Sequence, residues 1–268
     1  MAMKQFEKFP NHLKKNIRYI LTDIDDTLTT NGRITSVVFS AMERLQHSGF
    51  YILPITGRSA GWCDHIARMW PVDGLVGENG AFYFRYDVRQ KKMHRRHMRS
   101  EKQRETDRLK LEKISQIILQ KVPGCRVAAD QAYRETDLAI DYCEDVPPLP
   151  MSEAEQIVSC FNDAGAQAKI SSIHVNGWFG SHDKLTTITL FFKEGFKIDL
   201  EKVKNKIIFI GDSPNDSPLF AYFPHSVGVA NLLRFRDKLQ KEPAWITLQS
   251  GGSGFVEMVD ILLRNTTG

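Results

Sequence analysis

Two short apolar runs that end abruptly in carboxylates constrain this chain more than anything else in it. Ile17–Thr22 stops at Asp23-Ile24-Asp25-Asp26-Thr27, and Ile207–Gly211 runs into Asp212-Ser213-Pro214-Asn215-Asp216. Apolar runs this short, bounded by turn residues, read as buried strands. After the first, Thr35–Ser48 carries Val37, Val38, Ala41, Met42 and Leu45 at helical spacing, and Gly49 is placed to end the helix. Phe50–Ile55 is then a second strand, Ala60–Trp70 a helix stopped by Pro71, and Gly74–Gly77 a third short strand. Strand and helix alternating through short loops call for a parallel sheet covered on both faces.

The rhythm changes after about Arg85. Arg85–Lys110 holds 11 Lys and Arg against 4 Asp and Glu, although the 268-residue chain has a net charge of only +4. The stretch lacks interleaved aromatics and any helix-turn-helix or finger pattern, so it reads as a solvated charged surface and not as a nucleic-acid site. Beyond it come a helix over Thr106–Gln120, an extended segment Asp137–Tyr142, a helix over Ser152–Ala164, and strand-like segments at Ala168–Val175 and Trp178. The parallel rhythm returns from about Leu185, with Ile207–Gly211, Ser226–Val229 and Ala244–Leu248 as strands. Ser217–Phe223, Asn231–Gln240 and Gly254–Leu263 read as helices. Residues 1–16 read as a polar extension without an apolar leader, which leaves the cytoplasm as the expected compartment. Charged residues at 25% and the lack of a long apolar run exclude a membrane-spanning reading. Cys63, Cys125, Cys143 and Cys160 form no CxxC pair, so neither a zinc knuckle nor a dithiol redox site is expected.

In open α/β sheets, functional groups gather beyond the carboxyl ends of the strands. Asp23 and Asp25, two apart, can share a face or converge in the turn that follows. One carboxylate can attack phosphorus while another handles protons, although an Asp-rich turn would use the same residues. Thr56-Gly57-Arg58 offers a hydroxyl and backbone N–H groups to an anion, or caps the next helix. Lys184 could hold a phosphoryl oxygen. Asp212 and Asp216, brought near Asp23 across strand tips, would repel one another unless a hard cation such as Mg²⁺ joined them.

In this order the pieces resemble the haloacid dehalogenase-like phosphohydrolase superfamily: a DxDxT strand end, a Thr or Ser strand end, a Lys, and a GDxxND strand end. The resemblance covers nearly all of the chain after the first fifteen residues. The insertion between the second and third motifs, entered through Glu78-Asn79-Gly80, is similar to the cap of subfamily IIB, which includes Cof-type sugar phosphatases and sucrose-phosphate phosphatase. The resemblance implies an α/β fold with a Rossmann-like core over residues 1–84 and 181–268, and an inserted α+β cap of type C2 over 85–180. It further implies that Asp23 is the nucleophile of an aspartyl-phosphate route and Asp25 the acid and base. Thr56 and Lys184 would hold the phosphoryl group, with Asn215 orienting Lys184 or Asp23. Mg²⁺ would sit on Asp23, Asp212 and the Asp25 carbonyl, supported by Asp216.

In enzymes of this kind the cap reads the leaving group, which points to Arg134 and Glu135 and to His174, Asn176 and Trp178. The last three alternate and so share one strand face. With Gly57 and Asn215 they make up the expected substrate-binding set. The expected substrate is a small phosphate ester, most simply a sugar phosphate. A phosphomannomutase-like transfer between hexose positions shares the same motifs, and a non-catalytic sugar-phosphate or polyanion binder stands further off, since both Asp23 and Asp25 are present. GxxxxGK[ST], HExxH and GxSxG are all missing from the sequence.

Overall fold

The computed structural model describes residues 3–171 and 173–264; residue 172, inside the strand expected over Ala168–Val175, lies outside them. Its strands are β1 (Lys4–Gln5), β2 (Tyr19–Thr22), β3 (Tyr51–Pro54), β4 (Leu75–Gly77), β5 (Phe82–Asp87), β6 (Lys92–His97), β7 (Arg126–Val127), β8 (Leu138–Asp141), β9 (Gln167–Ile170), β10 (His174–Trp178), β11 (Ile207–Gly211), β12 (His225–Gly228) and β13 (Trp245–Ile246). The α-helices are α1 (Asn11–Lys14), α2 (Ser36–His47), α3 (Ala60–Met69), α4 (Glu101–Lys121), α5 (Met151–Asp163), α6 (Lys184–Phe191), α7 (Leu200–Val203), α8 (Ser217–Tyr222) and α9 (Gly251–Leu263).

Six strands form a wholly parallel sheet in the order β1-β13-β12-β11-β2-β3. The fold class is the α/β one expected. Ile20, Ile52 and Ile208 pack on one face beneath α2 and α9, while Leu21, Leu53 and Phe209 pack on the other against Phe191, Phe192 and Leu219. Burial on both faces explains why these strands read as continuous apolar runs. The register pairs Thr22 with both Pro54 and Ile210, so the carboxyl ends of β2, β3 and β11 finish side by side. That alignment brings Asp23, the Thr56 turn and Asp212 to one edge.

The third expected strand, β4, joins the sheet through a single parallel bridge from Ile55 to Val76, then turns into an antiparallel ribbon with β5 and β6. Phe82 and Phe84 of this ribbon lie in the same apolar cluster as α2 and α3. The charged stretch therefore starts on a strand pair, with most of β6 exposed. A second, four-stranded antiparallel sheet, β7-β8-β10-β9, carries α4 and α5, with Leu111, Ile114, Ile118, Ile157 and Phe161 in its own core.

Helix α4 begins at Glu101, a turn before the expected start at Thr106. Ser100 and Gln103 form a reciprocal capping box, which starts a helix whose first turn has no apolar residue for periodicity to detect. The reading of residues 1–16 as an extension needs correction. Lys4 and Gln5 pair with Trp245 and Ile246, and Phe6 and Phe9 are buried, stacked on each other at 4.9 Å and edge-on to Trp245. The segment closes the sheet through partners some 240 residues away, which local pattern cannot show. The helix expected over Asn231–Gln240 is a run of 3₁₀ turns, Ala230–Lys238. Among the described residues no helix is long and apolar enough to cross a membrane, and all four cysteines are free thiols.

Candidate active site

Asp23 follows β2 directly, with its N–H held by Ile210 O at 2.9 Å. Asp212 follows β11, and Asp216 lies one turn on, where Ser213 caps the 3₁₀ turn Pro214–Asp216. Asp216 folds back so that its Oδ2 accepts from Asp212 N at 3.2 Å and Ser213 N at 3.4 Å. A Cβ on Gly211 would collide with that carboxylate, so the glycine is what allows the return. The three carboxylates of Asp23, Asp212 and Asp216 each place an oxygen within 4.8 Å of the others.

Lys184, at the start of α6, is 7% exposed and places Nζ 3.2 Å from Asp23 Oδ1 and 2.9 Å from Asp216 Oδ1. Burial alone would lower its pKa, but the charges of Asp216 and Asp23 more than reverse this and leave it above the ordinary value. Burial pushes Asp23 up to about 8; Lys184 pulls it down, while Asp216 and Asp25 push it further up. Asp212 is also raised, first by burial and then by the charges of Asp23 and Asp216. One ammonium thus faces three crowded, dehydrated carboxylates. This donor set fits a small divalent oxygen-seeking cation, which would relieve the repulsion. Thermal melts are expected to show it: Mg²⁺ at about 100 times its dissociation constant contributes about 2.7 kcal/mol and raises Tm by roughly 5 °C over EDTA. Asp212→Asn should remove most of that increment.

Asp25 does not join the carboxylate cluster through its side chain. Arg58 grips it as a fork, with Nη2 to Oδ1 at 2.8 Å and Nε to Oδ2 at 3.0 Å. The same Nη2 lies 2.9 Å from Glu144 Oε1 on the second layer, and Glu144 Oε2 lies 2.9 Å from His174 Nε2. Arg58 also stacks over Trp62, at 5.4 Å. A chain of polar contacts therefore runs from Asp25 across the layers to His174. The His174 contact, helped by Arg58, holds the Glu144 carboxyl down at about 2 in spite of its burial. A depressed folded-state value stabilises above the ordinary carboxylate range near 4.5 and loses that contribution as pH falls through about 2. The Tm difference between the native chain and Glu144→Gln is therefore expected to shrink steadily below about pH 4.5.

A chamber of about 30 Å³, the room of one water molecule, lies above the cluster. Asp23, Asp25, Asp212, Gly57 and Asn215 line it from the large sheet, and Arg134, His174 and Asn176 from the second layer. Five expected residues do not line it: Lys184 and Asp216, which belong to the charged cluster already described, and Thr56, Trp178 and Glu135. Thr56 is fully buried, its Oγ1 accepting from Arg58 N at 3.0 Å. Trp178 shares a strand face with His174 and Asn176, but its Nε1 donates to His182 O at 3.3 Å on the far side of Lys184. Glu135 turns away from it, to His97 at 2.6 Å and Arg104 at 2.9 Å.

Arg134 reaches the chamber with its guanidinium already engaged. Its buried guanidinium is taken up by Asp130, Asp137 and Gly57 O, all at 2.9–3.1 Å. Asn176 Nδ2 donates to Asp137 in the same cluster at 3.0 Å. Beside it, Glu78 is wholly buried with φ +41°, followed by Asn79 at +55°, two left-handed residues in succession. Glu78 Oε1 accepts from Ala60 N and Glu135 N at 2.9 Å; Oε2 accepts from Thr136 N at 2.8 Å, from Asp137 N at 3.3 Å and from the Thr136 hydroxyl. Burial and the neighbouring Asp137 raise Glu78 to about 7, against the pull of Arg134 and these donors.

Sequence reasoning gave no site role to the side chains of Arg58, Asn79, Glu144 or Asn231. Asn79 lines the chamber and accepts from Asn215 Nδ2 at 3.3 Å; the Glu78-Asn79-Gly80 turn at a strand end was its signal. Asn231 donates to Asp26 O at 3.0 Å and approaches Asp212 Oδ2 at 3.4 Å, with nothing in its surroundings to mark it.

Residues 20–136 match the sequence profile of the haloacid dehalogenase-like hydrolase family. No curated protein matches the chain in sequence. Among solved structures, Thermoplasma acidophilum 0175 is 16% identical with a TM-score of 0.68, covering 92% of this chain and 98% of its own. The sucrose-phosphatase of Synechocystis sp. PCC6803 is 16% identical, TM-score 0.61, over 91% and 97%. The phosphatase BT1666 of Bacteroides thetaiotaomicron is 19% identical, TM-score 0.56, over 92% and 95%. At these identities the likeness is one of fold.

Proposed function

Residues 20–136 match the haloacid dehalogenase-like hydrolases, and from that premise we propose that the chain is a phosphomonoesterase of this family, dependent on Mg²⁺, acting on a small phosphorylated metabolite. The observation that carries the reading is the buried trio Asp23, Asp212 and Asp216, with Lys184 set between Asp23 and Asp216. When bound by Asp23 and Asp212, with Asp216 in support, the cation supplies charge neutralisation for the incoming phosphoryl group.

In the proposed route an Asp23 carboxylate oxygen attacks phosphorus and the bond from phosphorus to the ester oxygen breaks. Asp25 donates a proton to the departing alkoxide. Asp25 then removes a proton from water, whose oxygen attacks phosphorus and frees Asp23 as inorganic phosphate leaves. Lys184 and the N–H groups of the Thr56-Gly57-Arg58 turn offset charge on the phosphoryl oxygens. For Asp25 to carry a proton, Arg58 must loosen its fork, and Glu144, already 2.9 Å from Nη2, gives the guanidinium a second partner.

The second layer, within residues 85–180, would read the leaving group. A sugar phosphate is the favoured class: His174 and Asn176 line the chamber, and the sucrose-phosphatase of similar fold is solved with sucrose and phosphate. The test is phosphate release with Mg²⁺ and with EDTA over hexose, pentose, disaccharide and glycerate phosphates. Metal-dependent release from one or a few esters is the expected result. No release from any ester overturns the hydrolase reading, and conversion of one hexose phosphate into another without release would identify a mutase.

A further inference from the structure

Two larger chambers flank the small one above Asp23. One, of about 180 Å³, lies beyond Lys184 and meets it at Asn79 and Asn215. The other, of about 130 Å³, meets it at Ser171 and Ser213. Its walls are Tyr142, Met151 and Ile170 from the second layer and Pro214 and Phe235 from the base, and its charged groups are Glu155 and Lys238, both exposed.

We propose that this second chamber is the subsite for the leaving alcohol, and that it selects a ring-sized group presenting an apolar face. The inference deepens the phosphatase reading and rests on it.

Three observations support the assignment. The first is position. A departing oxygen must be near Asp25, whose partner Arg58 is held by Glu144, two residues along the same loop from Tyr142. The Tyr142 hydroxyl donates to Ser171 O at 2.7 Å, and Ser171 lines both chambers, so the second chamber adjoins the one that Asp25 lines. The 180 Å³ chamber is walled instead by Lys184, and the Asp183 carboxylate beside it is engaged in capping α6 through Thr186 N at 2.7 Å.

Size is the second: about 130 Å³ is close to the ~150 Å³ of an apolar cavity that accepts benzene. Wall chemistry is the third. Hydroxyls pressed against Met151, Ile170 and Phe235 would lose water without a partner, whereas a ring face loses nothing and can stack on Phe235 or Tyr142. The C–H face of a cyclic sugar and the face of an aromatic ring share this chemistry.

The experiment compares kcat/KM for phosphate release from glycerol phosphate, glucose 6-phosphate and 1-naphthyl phosphate, for the native chain, Phe235→Ala and Met151→Ala. These two residues stand on different layers of the chamber, so a shared effect does not trace to one local disturbance. For at least one ring-bearing ester, kcat/KM relative to glycerol phosphate is expected to fall about tenfold in both variants, mainly through KM. The sugar arm or the naphthyl arm then identifies the ring. A ratio unmoved in both variants, or a native chain that prefers glycerol phosphate, overturns the inference and leaves the phosphatase reading intact. If the native chain releases phosphate from none of the three, the wider ester panel decides the phosphatase reading. The chamber is then judged by calorimetric binding of the two ring-bearing esters, which Phe235→Ala must weaken about tenfold for the inference to survive.

Discussion

Asp23→Asn is expected to reduce phosphate release by about 10⁴-fold or more, the scale seen when a covalent nucleophile is removed. The amide has nearly the shape of the carboxylate, so folding is not the issue. The change relieves crowding: Asp23 is raised to about 8 by burial, with Asp216 and Asp25 adding to the rise. The variant should therefore melt no lower than the native chain in EDTA while losing both turnover and acid-stable phosphoenzyme. That pairing separates a chemical role from a structural one. Turnover within tenfold of native, with a contaminating phosphatase excluded, would remove Asp23 as nucleophile.

The second large effect is on stability. Glu78→Ala strips four backbone N–H groups, those of Ala60, Glu135, Thr136 and Asp137, of a shared acceptor in a buried setting. Breaking a buried charged network from one side costs about 3–5 kcal/mol, which for a chain of this size lowers Tm by roughly 6–15 °C. Glu78→Gln keeps the volume but turns an NH₂ toward N–H donors, so it should recover only part of the loss. A Tm within 2 °C of native for Glu78→Ala would show that water replaces the carboxylate at little cost.

The strand ends were legible because their chemistry is local: a short apolar run stops, and the next few residues are carboxylates, Thr-Gly or Gly-Asp. Parallel pairing then aligns the ends, since Thr22 faces both Pro54 and Ile210. The second layer was harder to read. Arg134 and Glu135 are polar residues beside an extended segment, which suits a substrate reader as well as an ion-pair partner. Their actual partners, Asp130 and Asp137 for one and His97 and Arg104 for the other, are set by packing among α4, β6 and the 130–137 turn. Glu144 lies 86 positions from Arg58, and Asn231 lies 205 from Asp26, distances at which a sequence carries no pairing signal. Phe6 and Phe9 were hidden by the charges around them.

Strand β6 ends its three-stranded ribbon, pairing with β5 alone among the described residues. A free strand edge is a template on which another chain can add, and cationic side chains are one way proteins prevent it. Lys92, His94, Arg95 and Arg96 stand exposed along this edge. Two copies meeting edge to edge would bring Lys92, Arg95 and Arg96 against their counterparts, with Arg95 also facing Asp64 at 2.5 Å and Arg96 facing Glu194 at 3.5 Å. The basic stretch, read in the sequence as a solvated charged surface, thus lies along a free strand edge, where like charge opposes pairing between two copies of the sheet.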